Sequence, residues 1–302
     1  MSRTIKMGVA AAIDTLKESG VAVPDAIVTG TAYGCLEDTG VFLSKMVEQQ
    51  EELLAPTAFI QSTHNTVGAQ IALMLNCTGY NNVFVHRAFS FENALLDAMM
   101  LLGEKAASNV LVGGIDEITN YSHQVMSRLG LYRREATSNF DLYEGKKKGT
   151  MAGEGAAFFL LTDQPSGQDY AMIKGLKTFY KPANMNETKE HIRSFLEEHA
   201  LAPHDIGLVL TGKNGDEQND EIYEQVTNAF FTKTLRANYK HLCGEYPTST
   251  AFATWVAASI IQTGTVPAIL HQGEAIQQSF SNVLVYNHSH NTHHSLILLA
   301  AC

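Results

Sequence analysis

The sequence predicts an α/β protein built around buried sheet. Short, continuous apolar runs, of which Val-Leu-Val-Gly-Gly-Ile at 110–115 is the clearest, lack the polar alternation of a half-exposed strand and fit sheet covered on both faces. Between these runs lie longer stretches with apolar residues at helical spacing. The two patterns alternate along the whole chain, which argues for α/β organisation over separate helical and sheet regions.

Residues 4–18 carry Ile5, Val9, Ala12, Ile13 and Leu16 on one helical face, with Gly20 as the stop. A short strand at 26–31 ends in glycine, and residues 38–50 read as a helix. The helix predicted at 66–75 has small residues on one face, which permits close packing. Val83 to Leu95 reads as a buried strand, a sharp turn and another helix. Strands follow at 110–115 and 156–161, and Gln164-Pro165-Ser166-Gly167 is a plausible seam. Beyond it come a strand near 171–179, a helix at 186–199, a strand at 206–210, helices at 219–231 and 248–262, and strands at 283–286 and 296–300.

The 302 residues suffice for one large domain or two fused halves. With 45% apolar and 17% charged residues, the composition is globular and argues against disorder. A net charge of −10 disfavours nucleic acid and anionic membrane as partners of the surface as a whole. The four cysteines (Cys35, Cys77, Cys243 and Cys302) are scattered without a paired motif, which fits a reducing cytoplasm. The N-terminus leads into an amphipathic helix without a secretory segment, and no run is long enough to span a bilayer, so no membrane insertion is expected.

The turn within 83–95 is the most informative position. A residue there sits at a helix N-terminus, where partial positive charge would stabilise a thiolate. The residue is Ala88, which has no nucleophile. Ser90 falls at or near the helix N-cap, where serine is favoured for capping. As a nucleophile it would need an adjacent base, and the sequence shows none.

Four segments in this order resemble the β-ketoacyl synthases, the condensing enzymes of fatty acid and polyketide synthesis. They are the elbow at Ala88; Phe140-Asp141 followed by Gly153-Glu154-Gly155-Ala156; Lys240-His241-Leu242-Cys243-Gly244 with Glu245 and a helix rich in small residues; and the strand, polar loop and strand of 283–298. The resemblance implies a thiolase-like α/β fold, two similar halves in a layered α-β-α-β-α arrangement, and a chain that starts late relative to the family. It places an N-terminal ketosynthase-like half at 1–165 and a C-terminal half at 166–302.

The family's chemistry uses a cysteine to carry the acyl chain, two histidines to help decarboxylate a malonyl thioester, a supporting lysine and a glycine-rich loop. Carried over by position, the cysteine is Ala88, the first histidine is Gly212 and the second is Glu245; the lysine is retained as Lys240. The loop becomes His288-Ser-His-Asn-Thr-His-His294, with no glycine. The resemblance therefore implies no catalytic residues and no cofactor. It leaves a remnant acyl pocket lined by Ala88, Ser90, Lys240, Glu245 and His293. The chain looks like a short chain-length factor of the aryl-polyene or flexirubin type. Such a subunit pairs with an active ketosynthase, or with itself, and receives an acyl carrier protein. The elbow strand and the 66–75 helix would form the dimer face.

Arg133, Arg134, Lys146, Lys147 and Lys148 form a basic stretch that either steers an acidic carrier protein or is a solvated loop. His288 and His290, two apart on an extended backbone, would share a face and offer a metal pair, with His293, Glu245 or Cys243 as a third ligand. The other reading is a polar loop that fills a pocket without chemistry. The remaining readings are a malonyl-thioester decarboxylase, which needs oxyanion donors but no acyl nucleophile, and an acyl-binding homodimer.

Overall fold

The computed structural model describes residues 1–302 except Ala136, Thr137, Lys146 and Gln272. The chain forms two compact units. The first comprises Met1–Gln124, Gly153–Gln164 and Tyr246–Ala251; the second comprises Val125–Ala152, Pro165–Glu245 and Phe252–Cys302. No helix among the described residues is long and apolar enough to cross a membrane.

The first unit opens with α1 (Arg3–Ser19), β1 (Ala26–Gly30), α2 (Leu36–Glu48), α3 (Pro56–Ser62) and α4 (Thr66–Leu75). It continues through β2 (Tyr80–Phe84), α5 (Ser90–Gly103), β3 (Asn109–Asp116) and the start of α6 (Asn120–Arg128), and gains β4 (Gly155–Thr162). Its sheet runs β2-β1-β3-β4, with β1 parallel to β2 and β3 and with β4 antiparallel to β3. The predicted apolar stripe of α1 is the one that is buried: Ile5, Val9, Ala12 and Leu16 pack with Val67, Ile71, Leu111, Ile115 and Phe158. The approach of α1 to α4 is close, since a Cβ on Gly8 would lie 2.5 Å from Val67 Cγ1. Any larger residue there would require Val67 and Ile115 to shift.

One expectation fails in this unit. The strand before the elbow is not buried. β2 is the edge of the sheet, its residues run from exposed to half-buried, and Tyr80 is open to solvent. Apolar residues in a short run do not distinguish a central strand from an edge awaiting a partner.

The second unit contains β5 (Met172–Tyr180), α7 (Met185–Glu198), β6 (Leu208–Thr211), α8 (Glu217–Phe230), β7 (Leu235–Asn238) and the short α9 (Lys240–Cys243). It then takes most of α10 (Ser249–Thr263), the two-residue strands β8 (Thr265–Val266) and β9 (Ile276–Gln277), β10 (Asn282–Ser289) and β11 (His293–Ala300). Its main sheet runs β5-β11-β10-β6-β7. The core beneath it joins Ile192, Phe195 and Leu196 of α7 to Tyr223 and Val226 of α8, and to Leu284, Tyr286, Leu296 and Leu298 of the central hairpin. Two helix starts are capped by side chains: Asn184 and Asp216 each accept two backbone N–H groups at the heads of α7 and α8.

Candidate functional site

The predicted site residues divide between the units. Ala88 and Ser90 lie in the first; Gly212, Lys240, Glu245 and His293 lie in the second.

At the elbow, β2 runs into a 3-10 turn (Arg87–Phe89) and then α5. Arg87 has φ +49°, a left-handed conformation that a non-glycine residue adopts at a cost. Ser90 holds the turn shut. Its Oγ accepts from the His86 N–H at 2.9 Å and donates to the Arg87 carbonyl at 3.0 Å. Ser90 is fully buried and is itself the first residue of α5. The expectation of an N-cap is thus corrected, because the hydroxyl reaches back into the turn and not forward to the first helical amides. Both capacities of the hydroxyl are spent on backbone. Ala88 is half-buried, and His86 and Arg87 are exposed.

Beside the elbow strands, Asp116 at the end of β3 is buried and accepts four hydrogen bonds. Oδ1 takes Thr31 Oγ1 (3.0 Å) and Ala32 N–H (2.8 Å); Oδ2 takes Thr248 N–H (3.1 Å) and Thr248 Oγ1 (2.9 Å). Burial nevertheless outweighs these donors and pushes its carboxyl up to about 6. Sequence reading missed Asp116; its signal is a carboxylate closing an otherwise apolar central strand.

In the second unit, Lys240 is the first residue of α9, two residues past β7, with its side chain 1% exposed, and Nζ donates to both oxygens of Glu245 at 2.8 and 2.7 Å. Glu245 Oε2 also accepts from Asn214 Nδ2 at 2.7 Å. Asn214, two residues beyond Gly212, was not singled out in sequence, although it lies in the loop that should carry the first histidine. Asp220 orders that loop by accepting the N–H groups of Asn214 (2.8 Å) and Gly215 (3.0 Å). Its carboxyl is raised, mainly by burial.

The Gly212 position has no room for a side chain. A Cβ there would lie 2.1 Å from Asn287 Oδ1 and 2.7 Å from Tyr223 OH. Asn287 Oδ1 itself accepts from Tyr223 and Tyr239. Buried hydrogen-bonded side chains fill the space.

The histidine segment is not a loop. β10 and β11 continue through Ser289 and His293 and close a hairpin in which only residues 290–292 are unpaired. His290 and Asn291 are left-handed (φ +50° and +51°), so His288 and His290 do not share an extended face. His288 is buried, with Nε2 donating to the Asn219 carbonyl (3.0 Å) and Nδ1 accepting from Asn291 N–H (3.2 Å). Both ring nitrogens are engaged, and the predicted metal pair does not assemble. Among the described residues no group of three or more His, Cys, Asp or Glu side chains is placed to hold a metal. His293 is also misplaced as a pocket residue. Its ring packs on Tyr180 of β5, at the edge of the sheet opposite β7 and Lys240. His288, on the other face of the hairpin, feels the Lys240 charge, and burial first and the charges of His294 and Lys240 next hold it well below the usual histidine range. Burial likewise lowers His294, to about 4.

Arg133 departs from the basic-patch expectation. Its guanidinium donates to the carbonyls of Gly149, Leu142 and Gly215 and serves as an internal tie. Arg134, Lys147 and Lys148 are exposed, and Lys146 lies outside the described residues. Nearby, a cavity of about 380 Å³ is lined by Phe140, Tyr143, Asn238, His241, Ala268, Ile269 and Leu270.

The family model for the β-ketoacyl synthase N-terminal domain matches residues 1–166. The chain belongs to the β-ketoacyl synthase family. Among solved structures, the ishigamide ketosynthase/chain length factor is 16% identical at a TM-score of 0.81, covering 100% of this chain and 83% of that one. The ketosynthase ApeO in complex with its chain length factor ApeC from Xenorhabdus doucetiae is 16% identical at a TM-score of 0.82, covering 100% and 82%. The AntDE:AntF structure, an acyl-carrier protein in complex with its ketosynthase, is 14% identical at a TM-score of 0.84, covering 99% and 85%. These establish the thiolase-like ketosynthase fold. No curated protein sequence matches the chain.

Proposed function

We propose that this chain is a ketosynthase-like subunit of the chain-length-factor type, without condensing activity of its own, that pairs with a cysteine-bearing ketosynthase in a carrier-protein-dependent aryl-polyene or flexirubin-like pathway. The observation that carries the reading is Ala88. The backbone of a nucleophile elbow is kept, strained at Arg87 and clamped by Ser90, around a residue that cannot attack a thioester. An elbow kept without its nucleophile is better explained by a shape used for pairing than by chemistry performed in this subunit.

The edge position of β2 supports the dimer face. Its outer edge offers unpaired backbone groups, and the two helices that contact it carry exposed apolar residues, Leu73 and Met74 on α4 and Leu96 and Met100 on α5. A free edge bordered by apolar side chains is a template for strand pairing with another subunit. Arg134, Lys147 and Lys148 remain available to an acidic carrier protein. Co-expression with ketosynthases encoded beside it is the test. A one-to-one complex is expected, weakened by Val83→Pro in β2. A homodimer indifferent to every such ketosynthase overturns the proposal.

A further inference from the structure

Resting on that reading, we propose that Glu245 is a built-in counter-ion that closes the Lys240 station to anions, so that this unit turns away a carboxylate such as that of a malonyl group.

The argument is a count of charges and donors. Lys240 is the one buried ammonium among the described residues, and two of its three N–H bonds are directed at Glu245. Glu245 is 23% exposed while Lys240 is 1% exposed, so the carboxylate is the member of the pair that solvent reaches. The Asn214 amide is spent on the same carboxylate. In the same loop Asp220 accepts the backbone N–H groups of Asn214 and Gly215, which are therefore not free to bind an anion. Lys213, the other cation of the loop, is paired with Glu224. His288 is neutral in its buried setting and points Nε2 at a carbonyl. An incoming carboxylate therefore meets Glu245 and Asp220 with no uncommitted cation, and like charges at short range repel.

Removing the Glu245 charge should reverse the preference. Glu245→Gln leaves Lys240 buried and uncompensated, a costly state that a bound anion relieves. Anion binding then appears as stability, because a ligand that binds only the folded state raises its melting temperature.

The experiment is thermal unfolding of the full chain in sodium malonate, against sodium chloride at equal ionic strength. Wild type is expected not to respond. Glu245→Gln is expected to rise by about 5 °C at malonate roughly a hundred times its dissociation constant. The double variant Lys240→Met with Glu245→Gln, which carries neither charge, is expected not to respond. If Glu245→Gln does not fold in either salt, Glu245→His takes its place and keeps a hydrogen-bonding side chain without the carboxylate. A wild-type response abolished by Lys240→Met overturns the inference, as does a folded Glu245 variant that gains nothing over wild type. Failure to pair with any ketosynthase would remove the proposed function and leave this result standing. Malonate binding by wild type would remove this inference and leave the pairing untouched.

Discussion

The elbow in the first unit and the lysine station in the second keep their architecture in opposite ways. At the elbow, a strained turn and a hydrogen-bonded clamp surround a methyl group, so the geometry is present and the functional atom is absent. At Lys240 the functional atoms are abundant, and they bind one another: ammonium to carboxylate, amide to the same carboxylate, histidine to backbone. The first is silent for want of a group; the second is saturated by an added one. Restoring one residue therefore means different things in the two places. A cysteine at position 88 supplies a missing atom, whereas loss of Glu245 frees groups already there.

This contrast makes removal of Glu245 the largest expected effect. Glu245→Ala strands a buried ammonium and should destabilise the second unit by about 3–5 kcal/mol in denaturant unfolding. Suppression by Lys240→Met would attribute the cost to the uncompensated charge; an equal loss in the double variant would attribute it to packing. Asp116→Asn comes next. The amide offers one acceptor oxygen to four donors, so a backbone N–H of Ala32 or Thr248 loses its partner. A loss of about 2–3 kcal/mol is expected, read as a lowered denaturation midpoint.

Acid separates the units by sign. The carboxyl of Asp116 is raised, so between about 6 and its unfolded value of 3.8 the folded state binds the proton more tightly, and acidification favours the first unit. His294 is lowered to about 4 from 6.5, so across that window the unfolded state binds the proton more tightly, and acidification disfavours the second unit. The slope is about 1.4 kcal/mol per pH unit for each such histidine. Hydrogen exchange at pH 5 should show β10 and β11 losing protection before β1 and β3, and His294→Phe should delay that loss. The reverse order would contradict the comparison. The smallest effect belongs to Ala88→Cys, which should change stability by no more than about 0.5 kcal/mol and yield no condensation product, because the lysine station remains saturated. A condensing Ala88→Cys variant would show that the elbow alone silences the chain.

Particular residues show what could be read early. The stripe of α1 and the apolar run of β3 follow from periodicity, and they appear where expected. The turn at Ala88 was legible because a strand, a turn and a helix are local. Asn214 and Asp116 were not, because their roles depend on Glu245 and Thr248, far along the chain. The histidine segment misled for a related reason. Polar residues suggested a loop, but the register between β10 and β11 carries the ladder through them and buries His288 and His294.

The sequence by itself determined the alternation of strand and helix, the identity of the residue at the elbow and the absence of glycine from the C-terminal segment. These are properties of neighbouring residues, governed by backbone preference and hydrophobic spacing. Only the tertiary structure decided that β2 is an edge, that Gly212 has no room for a side chain, that Ser90 clamps the turn, and that Glu245 and Asn214 close on Lys240. Each depends on which distant groups share a desolvated space, where an unpaired charge or donor is costly enough to dictate its partner.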